Sequence, residues 1–209
     1  MDISAEAFWV KAIAYVDTVR KTQMDRIKQG GRMISECILS GGVVHTFGTG
    51  HSKAFSMEMS NRAGGLAPMH GIYLDELLRK RAEGVKDETR DSNIERDPAA
   101  VTAILDLVNF RPRDLMIMVS NSGRNGSVVE MALQVKRMGL PIIVVTSMDH
   151  TTKVTSRHPS GKKLYEVADL VIDNCGPYGD AMLETPALPC PVCSISSIAG
   201  AFIAQALTA

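Results

Sequence analysis

Apolar side chains recur at helical spacing through residues 4–40, where Phe8, Ala12, Tyr15, Val16 and Val19 form one stripe. The pair Gly30-Gly31 predicts a break in that stretch, with a second helix over Arg32 to Leu39, closed by Gly41-Gly42. A different rhythm follows. Val43 to Phe47, Leu66 to Ile72, Asp114 to Ser120, Pro141 to Thr146 and Asp169 to Asp173 read as strands, and Leu115 to Val119 is apolar at every position. Helical stretches alternate with them. Ser52 to Ala63 is one. Asp97 to Val108 is another, with Asp97 as cap and Pro98 at the first helical position. Ser127-x-x-Glu130 predicts a capping box for a helix to Met138, stopped by Gly139, and Ser194 to Ala206 forms the last helix. Strands without polar alternation, each followed by a helix, predict an α/β fold, a three-layer α-β-α sandwich around a parallel sheet. Asp75 to Glu95 and Ser147 to Lys163 read as irregular loops. With no repeat and no linker, residues 41–209 are expected to form one globular unit, with the helical segment 1–40 packed on it. The last helical pattern runs to the chain end with no cap after Leu207, so a further segment is expected beyond it.

Composition narrows the function. The chain has 209 residues, 45% hydrophobic, with 23 Lys+Arg against 23 Asp+Glu. That excludes disorder and gives no basic surplus for nucleic acid or an anionic membrane. The longest apolar run, Leu140 to Thr146, is far too short to span a bilayer. Met1 to Val10 carries Asp2 and Glu6 and lacks a secretory pattern, and four cysteines are too few for a disulfide scaffold, so the cytoplasm is expected. Cys190-Pro-Val-Cys193 has no second ligand pair. It is expected, with Cys37 and Cys175, to supply small buried side chains. No metal and no cofactor is assigned.

Two strand ends carry unusual loops, Gly48-Thr49-Gly50-His51-Ser52 and Ser120-Asn121-Ser122-Gly123-Arg124-Asn125, and both lead straight into helices. Free backbone N–H groups and the positive helix end attract an anion there, and glycine lets the backbone come close. Either loop alone is equally a plain turn and helix cap. The pair, on strands expected to be neighbours, is more specific. A dinucleotide fingerprint is absent, because Lys53 stands at the third glycine position and no acid follows near Pro68 to His70. No Gly-Lys-Ser/Thr follows either. The pattern therefore favours a lone phosphate ester.

These motifs resemble the sugar isomerase (SIS) domain family. The likeness lies in strand–Gly48-x-Gly50-x-Ser52–helix, strand–Ser120-x-Ser122-Gly123–helix, Leu140-Pro141-Ile142-Ile143-Val144-Val145-Thr146 and Leu164-x-x-x-Ala168-Asp169-Leu170-Val171. Arg62-Ala-Gly-Gly65, His158-Pro-Ser-Gly-Lys162 and Gly179-Asp180-Ala181 are similar to a bacterial subfamily related to phosphoheptose isomerase. The resemblance covers roughly residues 30–209. It implies a five-stranded parallel sheet of flavodoxin-like order, a homodimer or higher homo-oligomer, and a sugar phosphate held between the two loops. By that likeness Ser52, Ser120 and Ser122 hold the phosphate, with Gly48, Thr49, Gly50 and Asn121 around them. Many relatives have Thr where this chain has Asn125, which can still donate and cap.

Isomerising a sugar phosphate needs a base and a group that shuttles protons between oxygens. Glu58 lies six residues past Ser52 and reads either as that base or as a helical ion pair with Arg62. Glu76, with Asp75, follows the second strand beside Arg79, Lys80 and Arg81, and reads as an acidic loop or a solvated cluster. Glu184 sits in a loop between Pro177 and Pro189 and ranks with Glu58. His51 and His70 are candidate shuttles, each with a structural alternative. His45, inside the first strand, is expected to be buried and structural, and His158 with Lys162 and Lys163 to form a solvated basic loop. The leading expectation is a phosphosugar isomerase working through an enediolate. The alternatives are a phosphosugar-binding sensor without catalysis and an amino-sugar phosphate lyase or etherase.

Overall fold

In the computed structural model the described residues are 3–74 and 94–209. The helices are α1 (Ala5–Leu39), α2 (Lys53–Met59), α3 (Ala99–Leu105), α4 (Gly126–Arg137), the single turn α5 (Met148–Thr151) and α6 (Ser196–Thr208). The strands are β1 (Val44–Gly48), β2 (Met69–Ile72), β3 (Leu115–Val119), β4 (Ile142–Thr146), β5 (Leu170–Asp173), β6 (Ala181–Leu183) and β7 (Val192–Ser194). The first five strands form one parallel sheet in the order β2-β1-β3-β4-β5, the expected flavodoxin-like order.

The strands alternate within an apolar run. Leu115, Ile117, Val119, Ile143, Val145, Leu170 and Ile172 face the layer of α1, α2 and α6. Met116, Met118, Ile142, Val144 and Phe47 face α3 and α4. Both layers exclude water, so both faces of β1, β3 and β4 are buried throughout. Each fully buried large side chain contributes about 1.5–3 kcal/mol. That explains why these strands show no polar alternation.

Several local expectations are corrected. The chain does not break at Gly30-Gly31, because α1 runs unbroken for 35 residues. A Cβ on Gly30 would lie 2.8 Å from Leu207 Cδ2, 3.5 Å from Leu170 Cδ2 and 3.6 Å from Ile143 Cδ1. That glycine lets α1 press onto α6 and the sheet. The capping box at Ser127 and Glu130 does not form. Ser127 Oγ donates to the Glu95 carbonyl at 2.7 Å, and Glu130 meets Gln134 and His158, so tertiary partners win over the local motif. The loop after β5 contains the antiparallel pair β6–β7, three residues per strand and too short to show a period. The cysteines are not uniformly buried, since Cys190 is exposed.

Asp97 Oδ1 accepts from the Ala99 amide at 2.9 Å at the head of α3, but Pro98 rather than Asp97 holds the cap position, and the helix ends at Leu105 instead of Val108. The predicted Ser52–Ala63 helix ends at Met59, where Asn61 turns to φ 55°. The basic loop at 158–163 is solvated at Lys162, as expected, but His158 and Lys163 are folded in. His158 Nε2 donates to Glu130 Oε2 at 2.8 Å with a side chain only 7% exposed, and Lys163 Nζ donates to the Thr151 carbonyl at 2.7 Å.

Candidate functional site

Parallel strands place all their C-terminal ends on one edge, and the chain reverses its stacking direction between β1 and β3. Gly48 and Val119 are register partners, so the two glycine loops spring from adjacent strand ends. Gly48 must lack a side chain, because a Cβ would meet the Ser52 carbonyl at 2.6 Å as the loop folds back. Thr49 is extended, Gly50 is left-handed at φ 55°, and Ser52 N donates to Thr49 O at 3.1 Å. In the second loop Ser120 Oγ accepts from the Gly123 amide at 3.1 Å, and Gly123 is also left-handed. Among the described residues the hydroxyls of Ser52 and Ser122 carry no protein hydrogen bond.

A narrow cleft lies between the loops. It is lined by His51, Ser52, Asn121, Asn174, Ser196 and Ser197, over an apolar floor of Phe55, Val119 and Val145. Asn121 is fixed on both sides: its Oδ1 accepts from Asn174 Nδ2 at 2.9 Å, and its Nδ2 faces His150 Nδ1 at 3.4 Å. Burial pushes the His150 ring down from 6.5; Asp180 and Asp149 pull it up and Arg124 adds to the push. Asp180 caps α6, taking Ser196 N at 2.8 Å and Ser196 Oγ at 2.5 Å. Thus α6 presents its N-terminus to the cleft beside the start of α2, two positive dipole ends at one space, while α4 begins after the second loop.

The candidates for proton transfer separate. His51 is exposed on the cleft wall. Glu58 forms an ion pair with Arg62 and accepts from Gln205 Nε2 at 2.7 Å, on the side of α2 that faces the end of α6. Glu184 is exposed on the rim of a different hollow, with Thr185, Pro186 and Cys190. Glu76, with Asp75, Arg79, Lys80 and Arg81, lies outside the described residues. His70 and His45 are at the opposite end of the sheet. Their Nδ1 atoms are 3.0 Å apart, and His45 Nε2 meets Asp114 Oδ2 at 3.1 Å.

One carboxylate at the loops carries no sequence motif. Glu95 reaches across so that its Oε1 would lie 2.9 Å from a Cβ on Gly50, while its Oε2 accepts from Asn125 Nδ2 at 3.3 Å. Asn125 Oδ1 in turn accepts from Arg157 Nη1 at 2.9 Å. Glu95 closes a charged loop in the sequence, and only the tertiary contact with Gly50 distinguishes it from its neighbours. Among the described residues no three His, Cys, Asp or Glu gather as a metal site.

The SIS domain family model matches residues 7–147, more than half of the chain. This chain belongs to the SIS domain family. A UPF0309 protein of Caldanaerobacter subterraneus is 43% identical over 169 residues, covering 80% of this chain and 67% of the relative. The fold of this SIS domain is shared with phosphoheptose isomerase from Neisseria gonorrhoeae at a TM-score of 0.62 and 16% identity, over 97% of this chain and 94% of that one. It is shared too with a protein of Escherichia coli CFT073 in complex with A5P, at a TM-score of 0.59 and 18% identity, over 97% and 87% of the two chains. Among the described residues of this SIS domain no helix is long and apolar enough to cross a membrane.

Proposed function

We propose that this SIS domain binds a sugar phosphate and isomerises it between aldose and ketose, as a cytoplasmic homodimer. The supporting observation is the pair of anion-type loops at adjacent strand ends, with Ser52 and His51 on the cleft wall, the Ser122 hydroxyl in the second loop, unpartnered among the described residues, and Glu95 packed against Gly50 of the first. The phosphate docks on Ser52, Ser120, Ser122 and the loop amides of Gly48 to Gly50 and Asn121. The sugar lies toward His51. Glu95 takes the proton from the carbon next to the carbonyl, giving an enediolate, and returns it to the neighbouring carbon. His51 moves the hydroxyl proton between the two oxygens. The helix N-termini around the cleft stabilise the oxyanion. Glu58 and Glu184 have less support, since Glu58 is engaged by Arg62 and Gln205 and Glu184 lines a different hollow, whereas Glu95 touches the first loop at Gly50.

Homodimerisation is supported by an apolar surface on α1 and α6, where Trp9, Val10, Ile13 and Phe202 are 58–65% exposed. The same α6 that carries Phe202 presents Ser196 and Ser197 to the cleft.

The test is deuterium exchange in heavy water, read by NMR on a panel of pentose, hexose and heptose phosphates. Deuterium enters the C2 position of the substrate at constant mass otherwise. Glu95→Gln slows the exchange by about 10²–10⁴-fold with binding retained, and Ser122→Leu abolishes binding. Binding without exchange selects the sensor reading, and a product of lower mass selects the lyase or etherase reading.

A further inference from the structure

A second cationic feature lies beside the loops. Arg96, Arg124 and Arg157 come from three separate segments: the turn Ile94–Arg96, the loop between β3 and α4, and the loop after α5. Backbone contacts bring them together. The Arg157 amide donates to the Arg124 carbonyl at 2.8 Å. Arg96 closes on the start of α4, where a Cβ on Gly126 would lie 2.3 Å from the Arg96 carbonyl. The guanidinium of Arg157 sits below its ordinary value, through burial first and then through the charges of Arg124 and Arg96.

Such a cluster ordinarily contains a carboxylate. Here the neighbouring carboxylates are engaged elsewhere. Glu95 accepts from Asn125, Asp149 from Lys153 Nζ at 2.6 Å and Tyr178 N at 2.7 Å, and Asp180 caps α6. Among the described residues none of the three arginines has a carboxylate partner. The Nε of Arg124 is buried and has no acceptor at all, although buried donors are nearly always satisfied. The chain as a whole has equal numbers of acidic and basic residues, so this corner is a local choice. It flanks the second loop without itself lining the cleft. The charge of Arg124 acts on His150, His150 meets Asn121, and Asn121 lines the cleft wall. On the other flank, Arg157 holds Asn125 at the head of α4.

We propose that the sugar phosphate bound here carries a second oxyanion, a carboxylate or a second phosphate, received by Arg96, Arg124 and Arg157 while the two glycine loops hold the first phosphate. This rests on the phosphosugar reading above and names the class of sugar. A guanidinium offers parallel N–H donors that match the paired oxygens of either group. Neutral sugar hydroxyls would leave three adjacent positive charges uncompensated.

Isothermal titration calorimetry with three probes tests this: glucose 6-phosphate, 6-phosphogluconate and glucose 1,6-bisphosphate. The expected result is that one of the two doubly anionic sugars binds about 30-fold tighter than glucose 6-phosphate, the size expected of added charge-assisted hydrogen bonds. Preference for 6-phosphogluconate identifies a carboxylate, and preference for the bisphosphate identifies a phosphate. Arg124→Gln with Arg157→Gln should bring that affinity ratio close to one. Arg157→Gln alone, at an exposed position, should lower the ratio in part and guards against misfolding of the double variant. A wild-type ratio near one, or a large ratio that persists in both variants, overturns the second subsite and leaves the phosphosugar reading standing. If none of the three probes, nor any member of the pentose and heptose phosphate panel, binds the wild type, the phosphosugar reading itself has failed and this inference with it.

Discussion

Asp114 joins two strands through one carboxylate. Its Oδ1 accepts from the Val43 amide at 2.8 Å, and its Oδ2 accepts from the Arg111 amide at 2.7 Å and faces His45 Nε2. Burial opposes ionisation of Asp114, but these hydrogen bonds outweigh it and hold the carboxyl below its ordinary 3.8. His45 goes the other way for a base. Burial pushes its ring below 6.5 against the pull of Asp114, so the folded protein keeps it neutral where the unfolded chain takes up a proton. Between those two values the unfolded state binds more protons, so stability rises with pH and is lost on acidification below 6.5. Thermal melts at a series of pH values should show the melting temperature falling between about pH 7.5 and 5.5, and His45→Gln should flatten that slope. The loss linked to Asp114 comes only below 3.8, a separate window. An unchanged slope in the variant would assign the acid sensitivity to another group.

At the scale of elements, the cleft depends on where helices begin. The head of α4 is set by Gly126, against which the Arg96 carbonyl and Pro98 pack at 2.3 and 3.1 Å from the Cβ direction. A backbone oxygen cannot swing aside as a side chain can. Gly126→Ala should therefore displace the turn Ile94–Arg96, destabilise the fold by about 1–3 kcal/mol, and weaken phosphosugar binding through Glu95 and Asn125. Denaturant unfolding and titration calorimetry together check this, and full stability with full binding would show that the turn moves freely. Gly30 is a milder case, since its nearest neighbour is the end of the flexible Leu207 side chain.

For the whole molecule, the exposed Trp9, Ile13 and Phe202 lie around one hollow between α1 and α6. A surface of this kind on a well-packed domain fits an interface with a second copy. If the proposed dimer forms, Ile13→Asp combined with Phe202→Glu should give a monomer in light scattering while circular dichroism stays unchanged. A wild-type protein that is monomeric at all concentrations would remove the dimer from the proposal.

The sequence by itself determined the layered α/β architecture and the two glycine loops, because buried parallel strands must be apolar on both faces and tight strand-to-helix turns demand Gly, Ser and Asn. Strand positions such as Leu115 to Val119 were legible for that reason. Tertiary structure decided what local patterns could not. Gly30-Gly31 reads as a helix stop, yet packing against Leu207 keeps the helix whole. Ser127 and Glu130 read as a capping box, yet both find partners far along the chain. Glu58 reads like a base beside the anion loop, and its ion pair with Arg62 follows from i,i+4 spacing alone. Glu95 and the three arginines gain meaning only from contacts across 30 or more residues, such as Asn125 with Glu95 and Arg157. Periodicity reports which face of an element is buried, whereas the meeting of distant charged side chains is fixed by how the elements pack.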